Sequence, residues 1–341
     1  MGTLNVVVLY DRWEEPEDSG TNASDKAPLT RTLDKKEVED EVAEALVKLG
    51  HEATLHVLDG STKGLHALAR MECDLVFNLA ESFAGNDTAD YAIAAYLELV
   101  DKRITGTGSH GLLYAQDKAV AKKILEFHGL HTPVFAKSFR GRLDFSHDLE
   151  FPVIVKPARE DGSIGIEFNA VVSSIRELME RIDWLHANFD SPVLIEEYVE
   201  GREMYVGVLG NDNPIALPVV ELDLSKLPEG TPRIAGAEVK WGKGTAAYKD
   251  TKSAIAEDLP EETATLLQTT AVAVFQALEL RDYARIDMRL RADGRVAVIE
   301  ANPNPWLASK AEFAMAARKS GRNYPQLVGE IVDLALGRYG G

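Results

Sequence analysis

Tyr283-Ala-Arg-Ile-Asp-Met-Arg-Leu-Arg-Ala-Asp-Gly-Arg-Val-Ala-Val-Ile-Glu-Ala-Asn302 reads as two alternating strands joined at Asp293-Gly294. That dipeptide suits a two-residue type I′ hairpin turn, in which both turn positions take positive φ. With Ala292 facing Arg295, counting outward sets Asp287 opposite Glu300 and Arg285 opposite Asn302. Two carboxylates directly across a ladder, with Cβ atoms roughly 5 Å apart, repel unless a positive charge lies between them. An oxygen-only set of Asp, Glu and Asn, with no His or Cys beside it, is what a hard cation such as Mg2+ prefers. The stretch predicts a metal-binding hairpin, and Mg2+ in an enzyme implies a bound polyphosphate. The competing reading has Arg285 or Arg289 neutralising the carboxylates without metal.

Three other stretches bear on phosphate chemistry. Lys156 ends the apolar run Phe151-Pro-Val-Ile-Val-Lys156 and is followed by Pro-Ala-Arg-Glu-Asp-Gly-Ser-Ile-Gly165. The lysine offers a point charge, and N–H groups near Gly162, Ser163 and Gly165 can wrap phosphate oxygens; a basic strand end beside a turn is the plainer alternative. The order G-x-x-x-x-G-K-[ST] is absent, which excludes a P-loop on that signal. Carboxylates of Leu194-Ile-Glu-Glu-Tyr-Val-Glu-Gly-Arg-Glu203, at a strand–turn–strand junction, suit ribose hydroxyls, with backbone at 197–199 for an adenine edge; a solvated acidic strand end competes. Glu238-Val-Lys-Trp-Gly-Lys-Gly-Thr245 has the composition of a loop that closes over a bound nucleotide, with Lys240 toward the terminal phosphate, or of an ordinary surface loop.

A chain of 341 residues suits two or three packed lobes, and 45% hydrophobic residues with 26 Gly and 14 Pro is a globular composition. A net charge of −18 disfavours nucleic acid and anionic lipid as partners, so a polyphosphate needs a local basic pocket. The single cysteine, Cys73, excludes an internal disulfide and reads as a core-facing thiol. No stretch reads as a signal peptide or a membrane span, and a cytoplasmic protein is expected.

The first third alternates strand and helix: a strand over 4–10, a helix over 38–49 opened by Asp34 and closed by Gly50, strands over 53–58 and 74–79, and a helix over 90–100. This βαβ order predicts a parallel sheet. Asp11-Arg-Trp-Glu-Glu-Pro-Glu after the first strand lacks G-x-G-x-x-G, so NAD is not expected. The acidic segment 14–32 reads as a surface loop. A Gly-rich link, Thr105-Gly-Thr-Gly-Ser-His-Gly111, leads into a helix over 117–127. Strands are expected over 133–139, 151–156, 164–169, 193–199 and within 202–222, and helices over 174–188, 261–280 and 324–336.

In this order the segments resemble the ATP-grasp superfamily, and within it the D-alanine–D-alanine ligase-like carboxylate–amine ligases. The resemblance runs from about residue 70 to the C-terminus. It rests on Gln116-Asp-Lys118, Val155-Lys-Pro-Ala-Arg-Glu160, Glu196 to Glu203, Ala284-Arg-Ile-Asp-Met288, Glu300-Ala-Asn302 and Ala316-Ala-Arg-Lys-Ser-Gly321. It implies an α/β fold: an N-terminal Rossmann-like lobe over 1–112, then a two-lobed α+β ATP-grasp unit split into 113–200 and 201–341. It also implies that Lys118 and Lys156 bind ATP phosphates under a loop containing Ser163, that Glu196, Glu197 and Val199 hold adenine, that Glu203 holds ribose, and that Lys240 approaches the γ-phosphate. Asp287, Glu300 and Asn302 would ligate two Mg2+, with Mn2+ as the alternative ion, and Arg285 would stabilise the developing negative charge.

Such ligases convert a carboxylate and ATP to an acyl phosphate, which an amine then attacks. The implied partners are ATP, a small acid and an amine, and a homodimer is left open. After Asn302 the chain departs from the family, with Trp306 where a glycine of the oxyanion hole is expected and Ala311 in place of a serine that grips the acceptor carboxylate. Glu14 or Glu15 loosely matches the carboxylate that meets the first substrate's amine. The leading expectation is an ATP- and Mg2+-dependent ligase joining an amino acid or related acid to an amine. True D-alanyl-D-alanine synthesis is the alternative, and an ATP-grasp phosphotransferase is the alternative from another class.

Overall fold

The computed structural model describes residues 2–12, 37–139, 142–145, 148–160, 162–242 and 245–340. Asp34, Glu14, Glu15 and the rest of the acidic 14–32 segment lie outside the described residues. The chain opens with β1 (Asn5–Asp11), α1 (Val38–Lys48), β2 (Glu52–Leu58), α2 (Thr62–Arg70) and β3 (Leu75–Asn78). These strands form a parallel sheet in the order β2-β1-β3, as the βαβ pattern predicts. Alternation along β1 splits its side chains: Val6 and Val8 join the cluster of Val42, Phe77 and Ile331, while Val7 and Leu9 join that of Leu68, Ile93 and Leu97. Cys73 is half-buried against the second cluster.

Next come α3 (Asp90–Leu99), α4 (Ser109–Gln116) and α5 (Lys118–Phe127). The Gly-rich stretch read as a link is a packed junction that runs into α4. A Cβ on Gly111 would stand 2.6 Å from Thr107 Cγ2 and 2.8 Å from the Glu279 carbonyl oxygen, so glycine here permits close packing. Asp117 caps α5 by accepting from the N–H groups of Ala119 and Val120.

The middle of the chain holds β4 (Phe135–Phe139), β5 (Arg142–Phe145), β6 (Val153–Pro157), β7 (Val171–Val172), α6 (Ile175–Asn188) and β8 (Val193–Glu197). The strands form an antiparallel sheet ordered β5-β4-β8-β6-β7. The strand expected over 164–169 is instead a loop ending in a 3-10 turn at Phe168–Ala170. Its approach passes through positive φ at Gly162, Ser163 and Gly165, which a ladder cannot accommodate.

A second antiparallel sheet follows, from β9 (Arg202–Gly210), β10 (Ile215–Ala216), β11 (Val220–Asp223), α7 (Ala237–Lys240), α8 (Ala246–Asp250), β12 (Lys252–Ile255), α9 (Glu261–Ala277), β13 (Asp282–Leu290), β14 (Val296–Asn302), α10 (Glu312–Lys319) and α11 (Tyr324–Arg338). Its order is β12-β11-β9-β13-β14, with β10 on β9. Met204, Val206, Val208, Ala284, Ile286 and Met288 pack on Leu267, Ala271, Val274 and Phe275 of α9. The intervening residues Glu203, Tyr205, Arg285, Asp287 and Arg289 therefore share the other face. Burying each large apolar side chain contributes about 1.5–3 kcal/mol, which fixes which face turns toward the charges.

The hairpin register at the charged end is the expected one: Asp287 pairs with Glu300 and Arg285 with Asn302. The route to it differs. Arg291 N–H donates to Arg295 O at 2.9 Å and Gly294 N–H to Arg291 O at 3.0 Å, closing a three-residue loop in which only Gly294 has positive φ (83°). The extra loop residue shifts the first pairs to Leu290 with Val296 and Met288 with Val298; a bulge at Ile299 then restores the count.

Candidate active site

An open cavity of about 890 Å³ is lined by the ends of the first and third sheets and by the loop that follows β6. One wall comes from the N-terminal lobe: Asp11, Glu37, Glu39, Glu81, Asp87 and Asp90 face it, with Arg12 as that wall's cation. The lining from the rest of the chain carries Lys118, Arg159, Lys240, Lys249, Lys252 and Arg285 with Glu160, Glu300 and Glu312. The cavity thus offers carboxylates for a protonated amine and cations for a polyanion. A smaller cavity of about 60 Å³ shares Lys240 and Glu300 with it and is lined by Lys156, Ser163, Glu196, Glu197, Val199 and Glu203.

The sequence-predicted phosphate residues come together. Lys118, at the first turn of α5, donates to the Glu160 carbonyl at 2.6 Å and lies 3.5 Å from Glu300 Oε2. Lys156, on β6, is paired with Glu196 Oε1 at 2.5 Å. Reading the sequence did not reveal Lys122, whose Nζ lies 3.0 Å from Glu196 Oε2. Its signal was the i, i+4 spacing from Lys118, which puts both lysines on one face of α5. Burial lowers the Lys122 pKa, with Glu196 opposing.

The loop over 162–168 is tied down to the segment over 235–241. Ser163 hydroxyl donates to Ala235 O at 2.7 Å, Trp241 Nε1 to Gly162 O at 2.8 Å, and Ala237 N–H to Ile166 O at 2.7 Å. The expected loop at 238–245 begins as α7, with Lys240 at its last turn; residues 243 and 244 lie outside the described ones.

At the hairpin, Arg285 forks onto Asp287: Nε donates to Oδ1 at 2.7 Å and Nη2 to Oδ2 at 2.8 Å. The guanidinium sits 4.8 Å from the centre of the Tyr205 ring. The competing reading of the hairpin, an arginine between the carboxylates, is thus realised for Asp287, which is 2% exposed and lines neither cavity. Burial pushes the Asp287 carboxyl up to about 6, with Arg285 opposing. Glu300 is the reverse case: burial raises it, but Lys118, Lys240, Lys156 and Arg285 together outweigh burial and bring it down to about 2. Asn302 donates its amide N–H to Arg285 O at 3.4 Å, leaving the amide oxygen as the group's acceptor.

No cluster of three or more His, Cys, Asp or Glu able to hold a metal occurs among the described residues. The oxygen donors of Glu300 and Asn302, which line the large cavity, nonetheless fit Mg2+, which dehydrates reluctantly and takes one or two carboxylates plus substrate phosphates rather than a protein cage; Asp287 could join them only by sharing its oxygens with Arg285. Trp306 lines the large cavity and is 44% exposed, whereas Ala311 is buried at the N-cap of α10 and lines neither cavity.

A family model described as D-ala D-ala ligase C-terminus matches residues 124–333. A D-alanine–D-alanine ligase of Aquifex aeolicus is 31% identical over 85% of this chain and 92% of its own length. The chain belongs to the D-alanine–D-alanine ligase family. An uncharacterized protein of Sinorhizobium fredii, y4sG, is 33% identical over 89% of each chain. The crystal structure of a D-alanine–D-alanine ligase from Bacillus anthracis complexed with ATP shares the fold, with a TM-score of 0.74 and 21% identity, covering 99% of this chain and 100% of that one. The expected α/β architecture with an ATP-grasp unit is therefore the observed one. As a member of this family the chain is an ATP-dependent carboxylate–amine ligase that forms a C–N bond. Among the described residues no helix is long and apolar enough to cross a membrane.

Proposed function

We propose that this ligase joins the carboxylate of an amino acid, or a related acid, to an amine through an acyl phosphate. The observation that carries the reading is the charge of the large cavity's lining: acidic where the N-terminal lobe contributes it, and richer in cations, with Lys118, Lys240 and Arg285, where the rest of the chain does. The acidic lining receives the substrate ammonium group. The cation-rich lining receives the triphosphate and the carboxylate.

In this reading Lys118, Lys156 and Lys240 hold the phosphates under the Ser163 loop, Glu196, Glu197 and Val199 border the base, and Glu203 takes the ribose. Asp287, Glu300 and Asn302 hold Mg2+, as two ions or with Mn2+ substituting; the metal supplies charge neutralisation on the phosphate oxygens. The substrate carboxylate attacks the γ-phosphorus and ADP leaves; the amine then adds to the acyl carbon with loss of a proton, Arg285 faces the oxyanion so formed, and its collapse breaks the C–O bond to phosphate, which leaves as the amide forms. Residues 1–112, 113–200 and 201–341 are the three structural units, the setting is cytoplasmic, and a homodimer is the assembly to test by light scattering.

Trp306 narrows the acceptor side, which favours an acceptor other than D-alanine. The names of the relatives favour the second reading, ligation of two D-alanines. An ADP-release screen over pairs of D- and L-amino acids, with product mass, tests both. ADP release should require acid and amine together, and hydroxylamine in place of the amine should yield hydroxamate. Stable phosphorylated product without an amide overturns the proposal, and a product containing only D-alanine overturns the reading of Trp306.

A further inference from the structure

We infer that Arg289 is a positioning residue for nucleotide recognition, fixing the Glu203 carboxylate for the ribose hydroxyls and linking it to the segment that covers the phosphates. The inference rests on the reading in which Glu203 holds ribose. Arg289 on β13 stands directly across the ladder from Glu203 on β9. Its Nη2 lies 2.5 Å from Glu203 Oε2, and both side chains line the smaller cavity.

Arg289 does more than neutralise a buried acid. Nη1 donates to Gly201 O at 3.0 Å and Nη2 to Arg233 O at 2.6 Å, so two backbone carbonyls set the plane of the guanidinium. With its plane set by two carbonyls, the guanidinium holds its charge at one place beside Glu203 Oε2, which a lysine's single rotating ammonium cannot do. Oε2 has the guanidinium charge beside it but is buried without a hydrogen bond, and Oε1 accepts only from the Tyr205 hydroxyl at 3.4 Å, a long contact. The carboxylate therefore keeps acceptor capacity for a ligand hydroxyl. Arg233 in turn opens the segment whose Ala235 carbonyl accepts from Ser163. One guanidinium therefore couples the ribose carboxylate to the cover over the phosphate loop.

Calorimetric titration of the full chain with ATP, 2′-deoxy-ATP and 3′-deoxy-ATP, each with Mg2+, tests this without a known acid or amine. A site built to bond a hydroxyl rejects the analogue lacking it, so ATP should bind about tenfold or more tighter than at least one deoxy form. Glu203→Gln should reduce that ratio to about twofold or less, and Arg289→Met should reduce it equally, with no further loss in the double variant. Arg289→Lys, which keeps the charge but loses the two carbonyl bonds, should lower the ratio nearly as far as Arg289→Met, and a ratio kept in full there would overturn the positioning role. If Arg289→Met does not fold, Arg289→Gln carries the same expectation. A ratio that collapses in Glu203→Gln but survives in the Arg289 variant overturns the inference. A ratio that survives in Glu203→Gln instead overturns the ribose reading of Glu203, a separate and distinguishable failure.

Discussion

Arg285 engages both oxygens of Asp287, at 2.7 and 2.8 Å, from two residues away on the same strand face. A fork committed to a buried carboxylate is held in place, and its charge is available to an oxyanion formed in the cavity it lines. Removing one such donor typically costs about 3–4 kcal/mol of transition-state stabilisation, so Arg285→Ala should slow turnover roughly 100- to 1,000-fold. KM for ATP should move far less. Steady-state kinetics on a correctly folded variant checks this, and near-normal turnover would remove Arg285 from the mechanism.

Metal dependence follows from the scarcity of protein ligands at the hairpin. ATP with Mg2+ at about 100 times its Kd should stabilise the fold by about 2.7 kcal/mol, and chelation with EDTA should abolish most of that gain. Asp287→Asn and Glu300→Gln should blunt it as well. Thermal shifts with and without Mg2+ give the answer; an ATP shift indifferent to EDTA in the native protein would contradict the metal assignment.

The buried row Lys122–Glu196–Lys156 has two cations on one carboxylate. Replacing Lys122 by Met leaves a balanced pair, whereas Glu196→Gln leaves two buried ammonium groups with only the more distant Glu300 as counter-charge. Breaking a buried pair by removing one partner costs about 3–5 kcal/mol, so Glu196→Gln should fall near that range and Lys122→Met well below it. Urea unfolding orders the two, and the reverse order would contradict this account.

Most of this arrangement could be read from the sequence because it rests on alternation. Glu203, Arg285, Asp287 and Arg289 share a face for the same reason that Met204, Ile286 and Met288 reach α9. The pairing of Asp287 with Glu300 came out as counted although neither the turn nor the ladder is regular: the third loop residue and the bulge at Ile299 each add one and cancel. Neither was visible, since Asp-Gly serves two- and three-residue loops alike. The fork of Arg285 onto Asp287 and the docking of the Ser163 loop on Ala235 depend on contacts between distant segments, which spacing does not encode. The helix at Ser109–Gln116 was hidden by Gly111, which reads as a break and acts as a packing surface.

Glu39 gives the pH prediction. Burial and a hydrogen bond with Glu37 raise its carboxyl to about 7, with Asp40 also contributing and Arg12 3.6 Å away. Below about pH 4.5 folded and unfolded chains both hold this proton; between 4.5 and 7 the folded chain binds more, so this group's contribution falls as pH rises and is constant above. Glu37, held below its usual range by the same hydrogen bond, works the other way. Glu39→Gln should therefore raise the free energy of urea unfolding at pH 8, by at most about 3 kcal/mol, and leave it unchanged at pH 4. Equal effects at both pH values would exclude the raised carboxyl.

Trp306 should set acceptor choice rather than nucleotide affinity. It stands between Asn304, which accepts from Thr107 N–H at 3.0 Å, and Ser309, bonded to Glu41 of α1, so its backbone is anchored to the N-terminal lobe on both sides. Trp306→Gly should change the relative kcat/KM of small and bulky amines by roughly tenfold or more while leaving KM for ATP within about threefold. An unchanged amine ranking would place the acceptor elsewhere.

Alternation would send adjacent strand residues to opposite sides, yet Ile299 and Glu300 both reach the smaller cavity, because the bulge suspends the pleat at that one step. A greasy contact suited to a flat heterocycle and an anionic anchor suited to a cation are thereby delivered by neighbouring positions on a single thread. Lengthening or trimming the loop at 292–294 by one residue would demand a matching change at the kink, so two places that never meet must vary as a unit.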